Sequence, residues 1–316
     1  MRVELATEVF TRPDPEPSEI TAVLRLLATF DEGRHDWVID TLAADDVADY
    51  LPRHHPTLAD TYAAMARMAA VRSDAWTGTS QADTVVVVSR ADLLDHADDL
   101  CRAAVVVVEN LPNDRYFLTT VIHVFGPEKL REAVHRNWLE FRHSGGADPV
   151  PVVAEQEAAN FRRVIRVVAL FDSDSYTADQ VSRHRDKARR LLDQQIDAHI
   201  LLRREAENYV PDRVLREIGH HGRAADKVAL LNRMLPHQRG YIDIKNGLSG
   251  PVKPEQATMV ASLDQDIREG FGGFGGGVLK QMYELRHRLT EAAFVAMDAE
   301  AADDLRKLLA LINSKV

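Results

Sequence analysis

From its middle onward the chain alternates between short, unbroken apolar runs and longer segments whose apolar residues recur every three or four positions. The runs fall at residues 84–88, 104–108, 138–141, 165–171 and 199–202, and the clearest are rich in valine, as in Val85-Val86-Val87-Val88 and Val105-Val106-Val107-Val108. The segments between them lie at 91–100, 114–125, 154–163 and 179–195. Unbroken apolar runs predict strands buried on both faces, and three- and four-residue spacing predicts helices. Strands of that kind alternating with helices predict a parallel sheet covered on both sides, with right-handed crossovers and a ligand edge at the carboxyl ends of the strands. Residues 1–80 read as mainly helical, from 20–27 and from an Ala- and Met-rich 58–71. Beyond Pro211 the spacing is helical again, at 226–235, 255–263, 278–289 and 301–311. The expected organisation is an α/β domain over 83–250, preceded by a helical accessory or interaction domain (1–80) and followed by a helical C-terminal extension (251–316).

Composition agrees with this picture. The 316 residues are 45% hydrophobic and 28% charged, the balance of a globular protein with a sizeable core. No apolar run approaches the roughly 18 residues of a membrane span. Met1-Arg2-Val3-Glu4 carries no signal pattern, so a cytoplasmic protein without membrane contact is expected. The single cysteine, Cys101, excludes an intramolecular disulfide and a cysteine-rich zinc site.

Charge is segregated. The net charge is −10, yet the first hundred residues hold 8 Lys and Arg against 19 Asp and Glu, whereas residues 161–250 hold 17 against 12. Screening confines charge effects to about 8 Å, so the local excess governs contact with phosphate. Acidity of the whole chain therefore does not exclude a nucleic-acid partner. A basic face is expected from Arg183, Arg185, Arg189, Arg203 and Arg204.

The candidate chemistry lies at strand ends. Glu109 follows the 104–108 run; Asp172 and Asp174 follow the 165–171 run. Parallel strands bring those ends to one edge, and continued period-two alternation would point both aspartates to the same side. Three neighbouring carboxylates cannot all stay ionised without a cation, and Mg²⁺ takes oxygen ligands while binding phosphate. The alternative is that the acids cap loops in water. Glu205 and Glu207, beside Arg203 and Arg204, read either as metal-site acids or as an ion-pair cluster near Tyr209. Lys245 could steady charge on a scissile phosphate or be a solvated loop lysine. Ser144-Gly145-Gly146 reads as a turn. The glycines at 272–277, with no preceding strand and no Walker ending, read as a flexible loop. Two adjacent pairs, His54-His55 and His220-His221, do not share a helix face and make no zinc site.

At these residues the sequence resembles a known family. Val105-Val106-Val107-Val108-Glu109, with Asp114 opening the next helix, is similar to the first TOPRIM motif, and Val167-Val168-Ala169-Leu170-Phe171-Asp172-Ser173-Asp174 to the second. Arg204-Glu205-Ala206-Glu207-Asn208-Tyr209 resembles the Arg-x-x-Glu-Asn-Tyr segment of OLD-like TOPRIM nucleases and related bacterial anti-phage effectors. The resemblance covers about residues 83–250. It implies a TOPRIM-like α/β fold and Mg²⁺- or Mn²⁺-dependent endonuclease action on DNA or RNA. It also implies Glu109, Asp114, Asp172, Asp174 and Glu207 as metal ligands and catalytic acids, and a separately encoded ATPase as partner; Lys245 is the further catalytic candidate from its own turn. A homo-oligomer is compatible with it. The family carries glycine directly after its first glutamate, where this chain has Asn110.

Two other readings stay open. A TOPRIM-like scaffold could bind nucleic acid or an ATPase without cutting, as Asn110 and the acidic first hundred residues suggest. Phe171-Asp172-Ser173-Asp174-Ser175 also resembles the Asp-x-Asp-x-Thr of haloacid-dehalogenase-like phosphatases, although the later Gly-Asp-x-x-x-Asp of that family is missing.

Overall fold

The computed structural model describes residues 1–76, 85–218, 223–248 and 250–316. It is an α/β protein built on two parallel sheets flanked by helices. The first sheet joins β1 (Arg2–Leu5), β2 (Asp36–Val38) and β3 (Val85–Val88) in the order β2-β1-β3. The second joins β4 (Ala104–Val108), β5 (Leu139–His143), β6 (Val167–Phe171) and β7 (Asp197–Ile200) in the order β5-β4-β6-β7.

The valine run at 85–88 therefore does not open the central sheet, as its sequence suggested. It pairs with β1 from Arg2↔Val85 to Leu5↔Val88. The amino-terminal part is mainly helix by length (Pro17–Asp31, Thr41–His54, Ala59–Trp76), but a sheet stands at its centre. Arg2-Val3-Glu4-Leu5 and Asp36-Trp37-Val38 are too short and too mixed in polarity to stand out between long helices. The core they share with Phe10, Leu26, Leu27, Tyr50 and Leu51 takes in Val88, Leu93 and Leu100, so this unit runs to about residue 100 rather than 80. Asp83 and Thr84 lie outside the described residues.

In the second sheet every residue of β4 and β6 is buried. Alternation sorts them: Val106, Val108, Val168 and Leu170 pack with the Leu111–Phe125 helix and the C-terminal helices, whereas Val105, Val107, Val167, Ala169 and Phe171 pack with the Val150–Ala158 and Arg185–Asp193 helices. Each of these valine, leucine and phenylalanine side chains contributes about 1.5–3 kcal/mol on burial. From β4 the chain moves out to β5 and then returns across β4 to β6. The order of strands thus reverses beside β4, which makes the carboxyl ends of β4 and β6 the switch point at which such sheets place ligands.

The C-terminal extension belongs to the same core. Leu305, Leu308, Leu309 and Ile312 of the Ala299–Asn313 helix join the cluster on the first face. Asp304 ties that helix to the exit of β7, accepting from the backbone N–H of Leu202 at 2.9 Å and the Tyr209 hydroxyl at 2.5 Å, with His199 Nε2 at 3.1 Å. Among the described residues no helix is long and apolar enough to cross a membrane.

Candidate functional site

The register of β4 on β6, Val105↔Val167 to Val107↔Ala169, sets Glu109 and Asp172 side by side at the carboxyl ends of these strands. The Asp172 N–H donates to Glu109 Oε1 at 3.1 Å, and Asp172 Oδ1 accepts from the Ala206 N–H at 3.0 Å. Asn110 is extended (φ −134°, ψ 90°) and its N–H donates to Asp114 Oδ2 at 2.7 Å. Nothing at that position requires a left-handed residue, so asparagine replaces glycine without backbone strain.

Asp174 departs from the expected alternation. The strand ends at Phe171, and Asp174 takes a left-handed φ of 53°. That costs roughly 1–2 kcal/mol for a residue with a side chain, less for aspartate, which bonds locally. Its N–H donates to the Arg204 carbonyl at 3.0 Å, and its Oδ2 accepts from Arg183 at 2.6 Å and lies 2.9 Å from His184 Nε2. Those partners hold the Asp174 carboxyl below the usual range, with His184 first among them and burial opposing. His184 is fully buried and stacks on Phe171. Sequence reasoning passed over it as part of a basic stretch; its place two residues after Ser182, at the entry to a helix, was the available signal.

Burial and mutual repulsion shape the rest. Burial pushes Glu109 up to about 6, opposed by the Asp172 N–H and assisted by the Asp174 charge. Burial likewise pushes Asp114 up to about 6, with Glu207 adding to it. Asp172 is raised well above its ordinary value, by desolvation first and then by the charges of Asp114, Glu109, Glu207 and Glu205. Lys245 answers this charge, its Nζ lying 3.1 Å from Glu205 Oε2 and 3.2 Å from Glu207 Oε1. Burial lowers the lysine pKa, but Glu207 and Glu205 outweigh it and the net shift is upward. The lysine sits on a turn. The glycine run at 272–277 holds that turn and is no free loop: Gly247 bridges Gly272, and the N–H groups of Phe274 and Gly275 donate to the Ile244 and Lys245 carbonyls at 2.9 Å.

Glu109, Asp114, Asp172, Asp174, Glu207 and Lys245 thus share one edge. Ser144-Gly145-Gly146 adjoins it, the Gly146 N–H donating to the Glu109 carbonyl at 3.0 Å. Of the five arginines expected to form a basic face, Arg183 reaches the site through Asp174, and Arg185 and Arg189 are exposed on the following helix. Arg203 does not belong to that face. It is 3% exposed and pairs with Asp298 at 2.6 Å and Glu300 at 3.1 Å, because the C-terminal helix packs over it. Arg204 turns to Glu205 at 3.1 Å and covers the Tyr176 ring. His54 and His55 end the Thr41–His54 helix of the first unit, and His220-His221 lies outside the described residues.

In kind, the donor set suits a hard cation: carboxylate oxygens are what Mg²⁺ takes, and crowded acids with raised pKa values gain from one. In arrangement, among the described residues no group of three or more His, Cys, Asp or Glu side chains is set to hold a metal ion. Arg183, His184 and Lys245 occupy Asp174, Glu205 and Glu207 instead. No family model, curated protein or solved structure matches this chain.

Proposed function

We propose that the chain is a Mg²⁺-dependent TOPRIM-like nuclease that hydrolyses phosphodiester bonds of DNA or RNA at this acidic edge, acting as an anti-phage effector in the cytoplasm. The observation that supports it most is the joining of Glu109 and Asp172 at the switch point of a parallel sheet, with Asp114 and Glu207 facing Asp172. Glu109 and Asp172 would hold the ion, with Asp114, Glu207 and Asp174 as the further carboxylates. When bound, the ion supplies positive charge for the phosphate oxygens and an attacking water. Lys245 offers a fixed positive charge to the phosphate. Arg183, beside Asp174, and the exposed Arg185 and Arg189 would contact a strand's phosphates. A separately encoded ATPase is the proposed partner, by resemblance.

A second reading is favoured by the engagement of Asp174 with Arg183 and His184 and of Glu205 and Glu207 with Lys245: a TOPRIM-like scaffold that binds nucleic acid or an ATPase and does not cut. Incubating single- and double-stranded DNA and RNA with the chain, its neighbouring ATPase and Mg²⁺ or Mn²⁺ separates the two. Cleavage that chelator and Asp172→Ala both abolish supports the nuclease. No cleavage by wild type, together with an unchanged biological effect of Asp172→Ala, overturns it.

A further inference from the structure

A second charged feature lies away from the acidic edge. Pro211, the Asp212–Glu217 helix, the turn at 231–236 and the Glu291–Met297 helix enclose a cavity of about 480 Å³. Three guanidinium groups line it, those of Arg213, Arg216 and Arg239, and among the described lining residues Asp212 is the only carboxylate. Arg239 is 9% exposed and is fixed by Asp212 Oδ1 at 2.5 Å and Asn232 Oδ1 at 2.8 Å. Arg216 lies 3.7 Å from the other Asp212 oxygen, whereas Arg213 donates to a carbonyl, that of Arg288, at 3.0 Å. Asp212 thus serves two of the three cations, and Arg213 has a carbonyl as its partner. Each guanidinium carries five donors in a planar fork, so donors remain for an incoming anion. Met234 and Met297 supply an apolar, adaptable wall beside them.

We infer that this cavity binds a small phosphate monoester, its phosphate held by Arg213, Arg216 and Arg239 and its uncharged part lying against the methionine wall. The volume falls within the range of small-ligand sites. Arginine forks match phosphate in two-point contacts, and phosphate supplies the negative charge that the lining lacks. The basic excess of residues 161–250, expected from sequence to flank the acidic site, is in part gathered here. The inference does not depend on the nuclease reading.

Calorimetric titration of the full chain in chelator, so that no metal bridges the phosphate, tests it. The probes are inorganic phosphate, AMP, adenosine, and a dinucleotide with either a 5′-phosphate or a 5′-hydroxyl. Inorganic phosphate and the probes with a terminal phosphate monoester bind, and adenosine and the 5′-hydroxyl dinucleotide do not, with affinity falling as salt rises. Whether AMP or the phosphorylated dinucleotide binds more tightly tells whether the phosphate belongs to a free metabolite or a strand end. Arg213→Ala/Arg216→Ala, both exposed positions, weakens binding by about tenfold or more; Arg213→Lys/Arg216→Lys weakens it less. Asp172→Asn, at the acidic edge, binds AMP as wild type does. The inference is overturned if no phosphorylated probe binds up to about 10 mM, if adenosine binds as tightly as AMP, if the double alanine variant binds unchanged, or if Asp172→Asn abolishes binding.

Discussion

The Asp172 backbone N–H donates to the Glu109 carboxylate at 3.1 Å, so two strand ends 63 residues apart are joined through an acid. A strand edge that satisfies its backbone with a carboxylate keeps negative charge where strand order reverses, and there it is hardest to keep without a cation.

Asp172→Asn tests that tension directly. Asparagine keeps an oxygen for the Ala206 N–H and removes a partly desolvated carboxyl that four other acids repel when it ionises. Without metal at neutral pH the variant should unfold a few degrees higher, a gain on the order of 1 kcal/mol. Scanning calorimetry in chelator reads it. A lower midpoint would mean that repulsion does not dominate at this residue.

The pH dependence follows with a definite sign. Glu109 and Asp114 titrate near 6 in the folded chain, above their ordinary values of 4.5 and 3.8. The folded state therefore binds more protons than the unfolded one between about pH 4 and 6. The stability these groups contribute is fully present below their ordinary values and is lost as pH rises through 6. Denaturant midpoints in chelator should fall over that window more steeply for wild type than for Glu109→Gln. Uptake of Mg²⁺ near pH 6 should release protons and flatten the slope.

Much of this edge was legible in the sequence, because β4 and β6 are unbroken apolar runs that end in acids. What escaped depended on packing. Val85–Val88 has the same signature as β4, and only the partner strand Arg2–Leu5 decides which sheet it joins. The turn at Asp174 rests on His184, Arg183 and the Arg204 carbonyl, contacts that the Asp-Ser-Asp spacing does not encode. Arg203 and Arg204 are adjacent and alike in sequence, yet the docking of a helix nearly a hundred residues later buries one against Asp298.

Lys245→Ala should destabilise the metal-free chain. It leaves Glu205 and Glu207, 12% and 6% exposed in their side chains, without their shared cation. Loss of one partner of a buried pair costs roughly 3–5 kcal/mol; Lys245 is itself 37% exposed, so about 1–2 kcal/mol is expected here. Mg²⁺ should restore more stability to the variant than to wild type. Equal responses to Mg²⁺ would separate the lysine from the cation's place.

The glycine run supplies the last test. A Cβ at Gly273 would stand 2.0 Å from the Lys245 carbonyl oxygen and 2.5 Å from the Asn246 nitrogen, both backbone atoms that no rotamer change can move. Gly247, across the bridge, has φ +70° and an equally closed approach to Gly273, so neither side of the clasp can give. Gly276 lies in the same run with open space around it. Gly273→Ala should therefore cost about 1–3 kcal/mol or more, the range of overpacked sites, while Gly276→Ala leaves the midpoint nearly unchanged. Because the displaced atoms belong to Lys245 and Asn246, Gly273→Ala should also take on the enlarged Mg²⁺ response of Lys245→Ala. A variant that is less stable but responds to Mg²⁺ as wild type does would show that the clasp holds the fold without setting the position of the lysine.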